Sequence, residues 1–443
     1  NANTSGEGNT AVGWESLDVN TTGSYNTAIG MSALGANVHG DRHTAVGYQA
    51  LMNTASADND GYNTAVGYMA GKLTTTGRYN VYMGTEAGYS TTDTDQNTLI
   101  GYGAGYSATA TENVMIGSQA GYDNVGGGYN VFIGAKAATN ATGVDSSVII
   151  GRQAASAAAA TGDDNVIIGY RAMYDLTSGY ENVAIGYQAA QNVTTANRNI
   201  FIGPEAGSGF TSSSEFNVVI GSGSMSTNTQ TGNHNVVILG GIAAKADLAE
   251  TTIVGHSAGA GVSGNNCTFI GKSAGSGTNT GNDLTAIGHG TLRTVTGSYN
   301  TAIGRGAMGD GSGDAGANLA VGVRALQALA TGDRNVALGN WGLSVLTAGN
   351  DNVTVGDEAG KKITTSNNTL IGSRAGEKLA GGNGSNTHIG AWAGRGDSDL
   401  YSGSWNTSVG AYTMNSNSLA AANYNTVMGY EAGKAITGGD NNT

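Results

Sequence analysis

About twenty-five times, at intervals near 17 residues, the chain repeats one phrase: Asn-(Thr/Val)-apolar-(Ile/Val)-Gly-x-x-Ala-(Gly/Leu). It stands at Asn26-Thr27-Ala28-Ile29-Gly30-Met31-Ser32-Ala33-Leu34, and again from Asn63 to Gly71, Asn182 to Ala190 and Asn425 to Gly433. A short fixed period means that each unit buries its apolar face only by stacking on its neighbours, which is the logic of a solenoid. The phrase glycine recurs from Gly13 to Gly221 and from Gly255 to Gly429. Between Gly221 and Gly255 one coil is hidden at Asn235-Val236-Val237-Ile238, where Leu239 holds the glycine frame and Gly240-Gly241 follow. Residues 235–250 are therefore expected to form one irregular coil. The expected fold is all-β: a parallel β-solenoid or β-roll of about 25 coils, running as one continuous repeat domain over residues 1–443.

Composition supports order over disorder. The 75 glycines and 12% charged residues could belong to a low-complexity chain, but aliphatic residues in strict register do not. The single proline, Pro204, directly follows a phrase glycine, and β-ladders exclude residues without an N–H. The net charge of −13 argues against nucleic-acid binding, which needs clustered Lys and Arg. One cysteine, Cys267, leaves no intramolecular disulfide framework. No stretch reaches the length of a membrane-spanning helix and no signal peptide is visible, so no membrane insertion is expected. The chain opens at Asn1, and Asp440-Asn441-Asn442-Thr443 reads as the start of a further coil; the expectation is a fragment of a longer polypeptide.

With the phrase glycine as position zero, position −1 is aliphatic or Met (Val12, Ile29, Ile133, Met428) and −3 is Thr, Val, Ile or Leu. Side chains alternate along a strand, so −3 and −1 share one face, expected to line the inside of the coil. Position −2 points the other way and is also apolar, as at Leu99, Phe132, Phe201, Phe269 and Leu370. A strand apolar on both faces is buried on both. Those five residues are accordingly candidates for a subunit interface, and the chain is expected to be an oligomer. Position −4 is mostly Asn, at Asn26, Asn63, Asn130, Asn182, Asn300 and Asn425 among others, spaced to form an amide ladder. His43, Ser147, Thr251, Cys267 and Leu284 replace it. Gly at zero suits a turn closed to other residues, Ala at +3 suits close packing, and the Thr- and Gly-rich stretch after +4 reads as surface turns. At a ~4.8 Å rise per coil the stack would extend roughly 120 Å.

The phrases at Gly61 to Tyr68 and Gly297 to Gly304 resemble the Gly-x-Asn-Thr-Ala-(Val/Ile)-Gly repeats of bacteriophage tail fibres, and are similar to the head repeats of trimeric autotransporter adhesins. The resemblance covers nearly the whole chain and is specific for architecture. It implies a homotrimer of coils about one axis and an extracellular structural shaft, in a virion tail fibre or cell-surface filament, that projects or presents receptor-binding elements. An adhesin head binding host surface or matrix is the alternative. The period departs from the shorter adhesin repeat, and neither a coiled-coil stalk nor a C-terminal chaperone domain is present in the sequence. A receptor or glycan would be met through loops or a tip outside this segment.

Other motifs have simpler explanations. Gly255-His256-Ser257-Ala258-Gly259 matches a hydrolase nucleophile elbow, but Gly271-Lys272-Ser273-Ala274-Gly275 repeats it one coil later as ordinary phrase residues. Arg395-Gly396-Asp397 matches an adhesion tripeptide in a chain already rich in Gly and Asp. Asp58-Asn59-Asp60 and Asp93-Thr94-Asp95 fit no calcium loop, and the six histidines have no recurrent ligand spacing. No catalytic residue, metal or cofactor is expected, and no recurrent carboxylate pair supports a glycan-cleaving enzyme. Regular Thr rows raise an ice-binding solenoid, against which stands the expected burial of −3. Trp392 and Tyr401 are weak candidates for a binding surface, whereas Trp405 and Tyr424 share slot −5 with Tyr25, Tyr62, Tyr129 and Tyr299.

Overall fold

The computed structural model describes residues 3–55, 61–211, 214–226, 232–239, 248–277, 279–396, 402–415, 422–436 and 439–443. The protein is a parallel β-solenoid of about 23 turns at a spacing near 17 residues, with no helix among the described residues. It divides into two compact units, Asn1–Thr231 and Gly232–Thr443. In the first, three-residue strands run from Thr10–Val12 to Val218–Ile220; in the second, from Val236–Ile238 to Thr426–Met428. Within each unit the successive three-residue strands pair in parallel at the same repeat position, as in Val131↔Val148, Phe132↔Ile149 and Ile133↔Ile150, while the two-residue strands Thr294–Val295 and Ser312–Gly313 pair with each other in the second unit. Strand Val236–Ile238 of the irregular coil pairs normally with Thr252–Val254; Gly240 and Gly241 lie outside the described residues.

Hydrogen bonds tie each coil to both neighbours. The Thr27 N–H donates forward to the His43 carbonyl at 2.8 Å, and the Gly30 N–H donates back to the Val12 carbonyl at 2.7 Å. The phrase glycine is forced by geometry. Gly30 has φ 133°, and a Cβ there would lie 2.4 Å from the Gly47 carbonyl oxygen of the coil above. Only glycine tolerates both the dihedral and the approach.

The structure reverses the expected inside and outside of the strand. Position −2 is the core: Leu99, Phe132, Phe201, Phe269 and Leu370 are 0% exposed within a single chain. They are enclosed by their own coil and present nothing to a neighbouring subunit. Positions −3 and −1 point outward and are half-buried or exposed. The partner of −2 is position +7, in the stretch read from sequence as a surface turn. Leu176, Val193, Phe210, Leu329, Leu346, Ile363 and Leu379 occupy it, all fully buried. Across the interior, Phe201 meets Phe210 at 5.3 Å between centroids, and the Tyr82 hydroxyl lies 2.9 Å from Thr91 Oγ1. One coil thus supplies both walls of its own core, lined further by Ala at +3 and by Leu, Ala or Gly at +4.

Candidate interaction surfaces

The Asn column at −4 forms the third internal wall. The Asn63 Oδ1 accepts the Asn80 N–H at 2.9 Å while Asn63 Nδ2 donates to the Gly77 carbonyl at 2.7 Å. Asn26 accepts from the His43 N–H at 2.8 Å, and Asn130 accepts from the Ser147 N–H at 2.9 Å. Asn182 Nδ2 also donates to Asn165 Oδ1 at 3.1 Å, so amide meets amide; Asn318 repeats this on Asn300, and Asn425 on Asn406. Each amide satisfies a backbone N–H that strand geometry leaves without a carbonyl, which is why a side chain with both acceptor and donor recurs there. Ser147 substitutes by accepting the Asn165 N–H at 3.0 Å. His43 substitutes through Nδ1, 3.3 Å from the Asn63 N–H, and burial lowers its pKa to about 4. Cys267 points its thiol at the Asn265 carbonyl, 3.1 Å away, and burial pushes the thiol pKa up.

The outward face of the strand is a flat apolar stripe. Ile29 is 40% exposed, Met83 43% and Ile303 36%, and Thr, Val, Ile or Leu stands at −3 beside each. From Val114 to Ile220 both outward positions are Val or Ile in every coil. Two residues past −1, at +1, Tyr48, Tyr68, Tyr102 and Tyr187 add exposed rings. Tyr48 stacks on Tyr68 at 5.3 Å, and Tyr170 on Tyr187 at 5.5 Å. The burial argument against Thr rows falls with this reversal, since Thr at −3 does face out. The rows are nevertheless interrupted by Val, Ile and Leu, and −1 carries no hydroxyl.

Stacking also governs the remaining candidates. Trp392 at +2 sits between two guanidinium groups, Arg395 at 4.1 Å and Arg374 at 5.0 Å from its ring, and stacks on Tyr412 at 5.8 Å. It is one rung of a column in which Arg324 covers Trp341 and Glu358 bridges Lys361 and Arg374. The Lys361 hydrogen bond, with Arg374 adding charge, holds the Glu358 carboxyl below its ordinary range. Trp405 stacks on Tyr424 at 4.9 Å. Tyr401 lies outside the described residues, as do Asp397, Ser398 and Asp58-Asn59-Asp60. Arg395 of the tripeptide is engaged by Glu377 at 2.6 Å. Asp95 accepts the Arg78 N–H at 2.8 Å and pairs with its guanidinium at 3.3 Å. Ser257 Oγ is 3.1 Å from His256 Nδ1 on an exposed turn that follows strand Thr252–Val254. Among the described residues no three His, Cys, Asp or Glu side chains are grouped to hold a metal ion, and no helix is long and apolar enough to cross a membrane.

No protein-family model matches the chain, and no curated protein matches it.

Proposed function

We propose that the chain is a structural segment of an extracellular fibre, of the kind seen in bacteriophage tail fibres. In this reading three copies join through the outward −3/−1 stripe. The observation that carries the reading is the apolar character of that stripe on a strand whose other face already has its core. At a ~4.8 Å spacing and about 10 Å across, the thirteen main-sheet strands of the first unit and the twelve of the second together give on the order of 1,200 Å² of flat Val, Ile and Thr surface. Monomers rarely expose a contiguous apolar patch beyond a few hundred Å², while a stable interface takes about 800 Å² per partner. A second copy of the same stripe offers matching flatness and the same repeat, so strand rows meet in register along their length. Three copies, as the repeat resemblance implies, would each present one stripe to a common axis. The work of such a segment is mechanical: it carries receptor-binding elements at a distance, and its loops are free to make contacts of their own.

Light scattering after gel filtration tests this. A mass near three chains supports the fibre, and a soluble monomer at micromolar concentration overturns it.

A further inference from the structure

Position −5 forms an outward column in which successive coils place their side chains face to face. Tyr62 stacks on Tyr79 at 5.1 Å, Trp405 on Tyr424 at 4.9 Å, and the Arg42 guanidinium lies 5.1 Å over Tyr62 and 5.9 Å over Tyr25. In the second unit the column runs Tyr299, Ala317, Arg334, Asp351. Ala317 keeps the backbone of the station, with φ 56° and its N–H on the Ser298 carbonyl at 3.0 Å, but contributes only a methyl group. One rung of the stack is missing. The gap is an open recess of about 350 Å³ lined by Tyr299, Gly316, Ala317, Asp314, Asp333 and Arg334, with Gly297 and Ser298 at its edge.

The Tyr299 wall offers a flat ring to a ligand, and the Arg334 wall is fixed in place. Tyr299 is 69% exposed, with no described ring stacked on it. The Arg334 guanidinium is fixed by Asp351 of the next coil through Nε–Oδ1 and Nη2–Oδ2 bonds of 2.7 and 2.9 Å, which also offset its charge. The walls stand two coils apart, ~9.6 Å at the usual strand spacing, which leaves room for one six-membered ring between them. Asp333 is fixed by accepting the Gly316 N–H at 2.8 Å, and Asp314 is exposed beside it.

We propose that this slot binds one neutral pyranose, its ring face packed on Tyr299, its far side against Arg334, and its hydroxyls donating to Asp314 and Asp333. Sugar C–H faces pack on aromatic rings, and carboxylates accept from vicinal hydroxyls. The two carboxylates at the rim repel an anionic sugar, because Arg334 is already neutralised by Asp351. An aromatic peptide side chain would fill the space but give the two carboxylates at most one donor, where a pyranose brings several hydroxyls. The slot belongs to one chain, so it stands or falls independently of trimer formation.

The test is saturation-transfer NMR and calorimetric titration of the full chain with the methyl pyranosides of glucose, galactose, mannose and N-acetylglucosamine. N-acetyltyrosine amide and N-acetylneuraminic acid serve as competitors of other chemistry. At least one neutral pyranoside is expected to bind saturably at millimolar concentration, and Tyr299→Ala should weaken it about tenfold or more. Ala317→Tyr, which restores the rung found at Tyr62 and Tyr79, should abolish binding without lowering the melting temperature. No saturable binding by any neutral pyranoside, binding that survives Ala317→Tyr, or preference for the tyrosine amide or the anionic sugar would overturn the proposal.

Discussion

Phe201 and Phe210 meet across the interior of one coil at 5.3 Å between centroids and an interplanar angle of 56°. The first belongs to a strand, the second to the segment that returns from it, and both are fully buried in a single chain. Truncating Phe201 to Ala should therefore destabilise the first unit by about 3–5 kcal/mol. In a background whose outward stripe is charged so that the chain stays monomeric, replacing the adjacent outward Ile202 by Ala should cost under about 1.5 kcal/mol, because within one chain that side chain is only partly covered. Denaturant midpoints of the two variants, followed by far-UV circular dichroism, check the order; comparable losses would mean that inside and outside are wrongly assigned.

The Asn column makes a graded prediction. Asn335 Oδ1 accepts the buried Asn352 N–H at 3.1 Å and its Nδ2 donates to the Gly349 carbonyl at 2.7 Å. Asn335→Leu strands a buried donor and acceptor and should cost roughly 2–4 kcal/mol. Asn335→Ser should cost less than half of that, since Ser147 already serves this station. Hydrogen exchange of the Asn352 amide should accelerate in the Leu variant well beyond the Ser variant.

Acid should weaken the fold through two histidines. Burial lowers the pKa of His43 and of His388 to about 4, while His388 Nδ1 stays bonded to Ser408 Oγ at 2.7 Å. Unfolded histidine titrates near 6.5, so above that pH both states are neutral and stability is complete. Between pH 6.5 and 4 the unfolded chain takes up protons that the folded chain refuses, and stability falls by up to about 3 kcal/mol per histidine. His43→Asn, the residue most coils carry, should shrink the loss in melting temperature between pH 7 and pH 4.5. An unchanged pH dependence would remove His43 from the account.

The period, the parallel ladder, the glycine corner and the Asn column were legible because each rests on a residue type that recurs in frame. The direction of the strand was not. Ile at −1 and Phe at −2 are both apolar, so hydrophobicity alone could not say which entered the core; steady β-branching at −1 against size variation at −2 (Ala28, Tyr82, Phe132) was the usable clue. A filled core adjusts volume coil by coil, whereas a flat exposed sheet keeps one shape. The inward column at +7 hid among Thr and Gly, although Leu176, Leu329, Leu346 and Leu379 mark it. Left-handed backbone at +2, +4 and −5 left no trace, because Gln49, Leu51 and Tyr62, with φ of 54°, 47° and 51°, are not turn residues by type. Inter-coil hydrogen bonds, such as Gln49 N–H to the Met31 carbonyl at 2.9 Å, impose that conformation from outside the local sequence. The missing rung at Ala317 was likewise visible only once Tyr299 and Arg334 stood in one column.

The most direct test of the central claim compares native mass before and after the outward stripe is charged. Ile150, Ile168 and Ile185 lie at −1 on three successive coils, partly exposed and outside the core. The parent chain should sediment as three copies, and the triple Asp variant (I150D, I168D, I185D) as one, with an unchanged circular dichroism spectrum. A variant that keeps the mass of its parent would contradict the claim, as would a parent that is already a monomer.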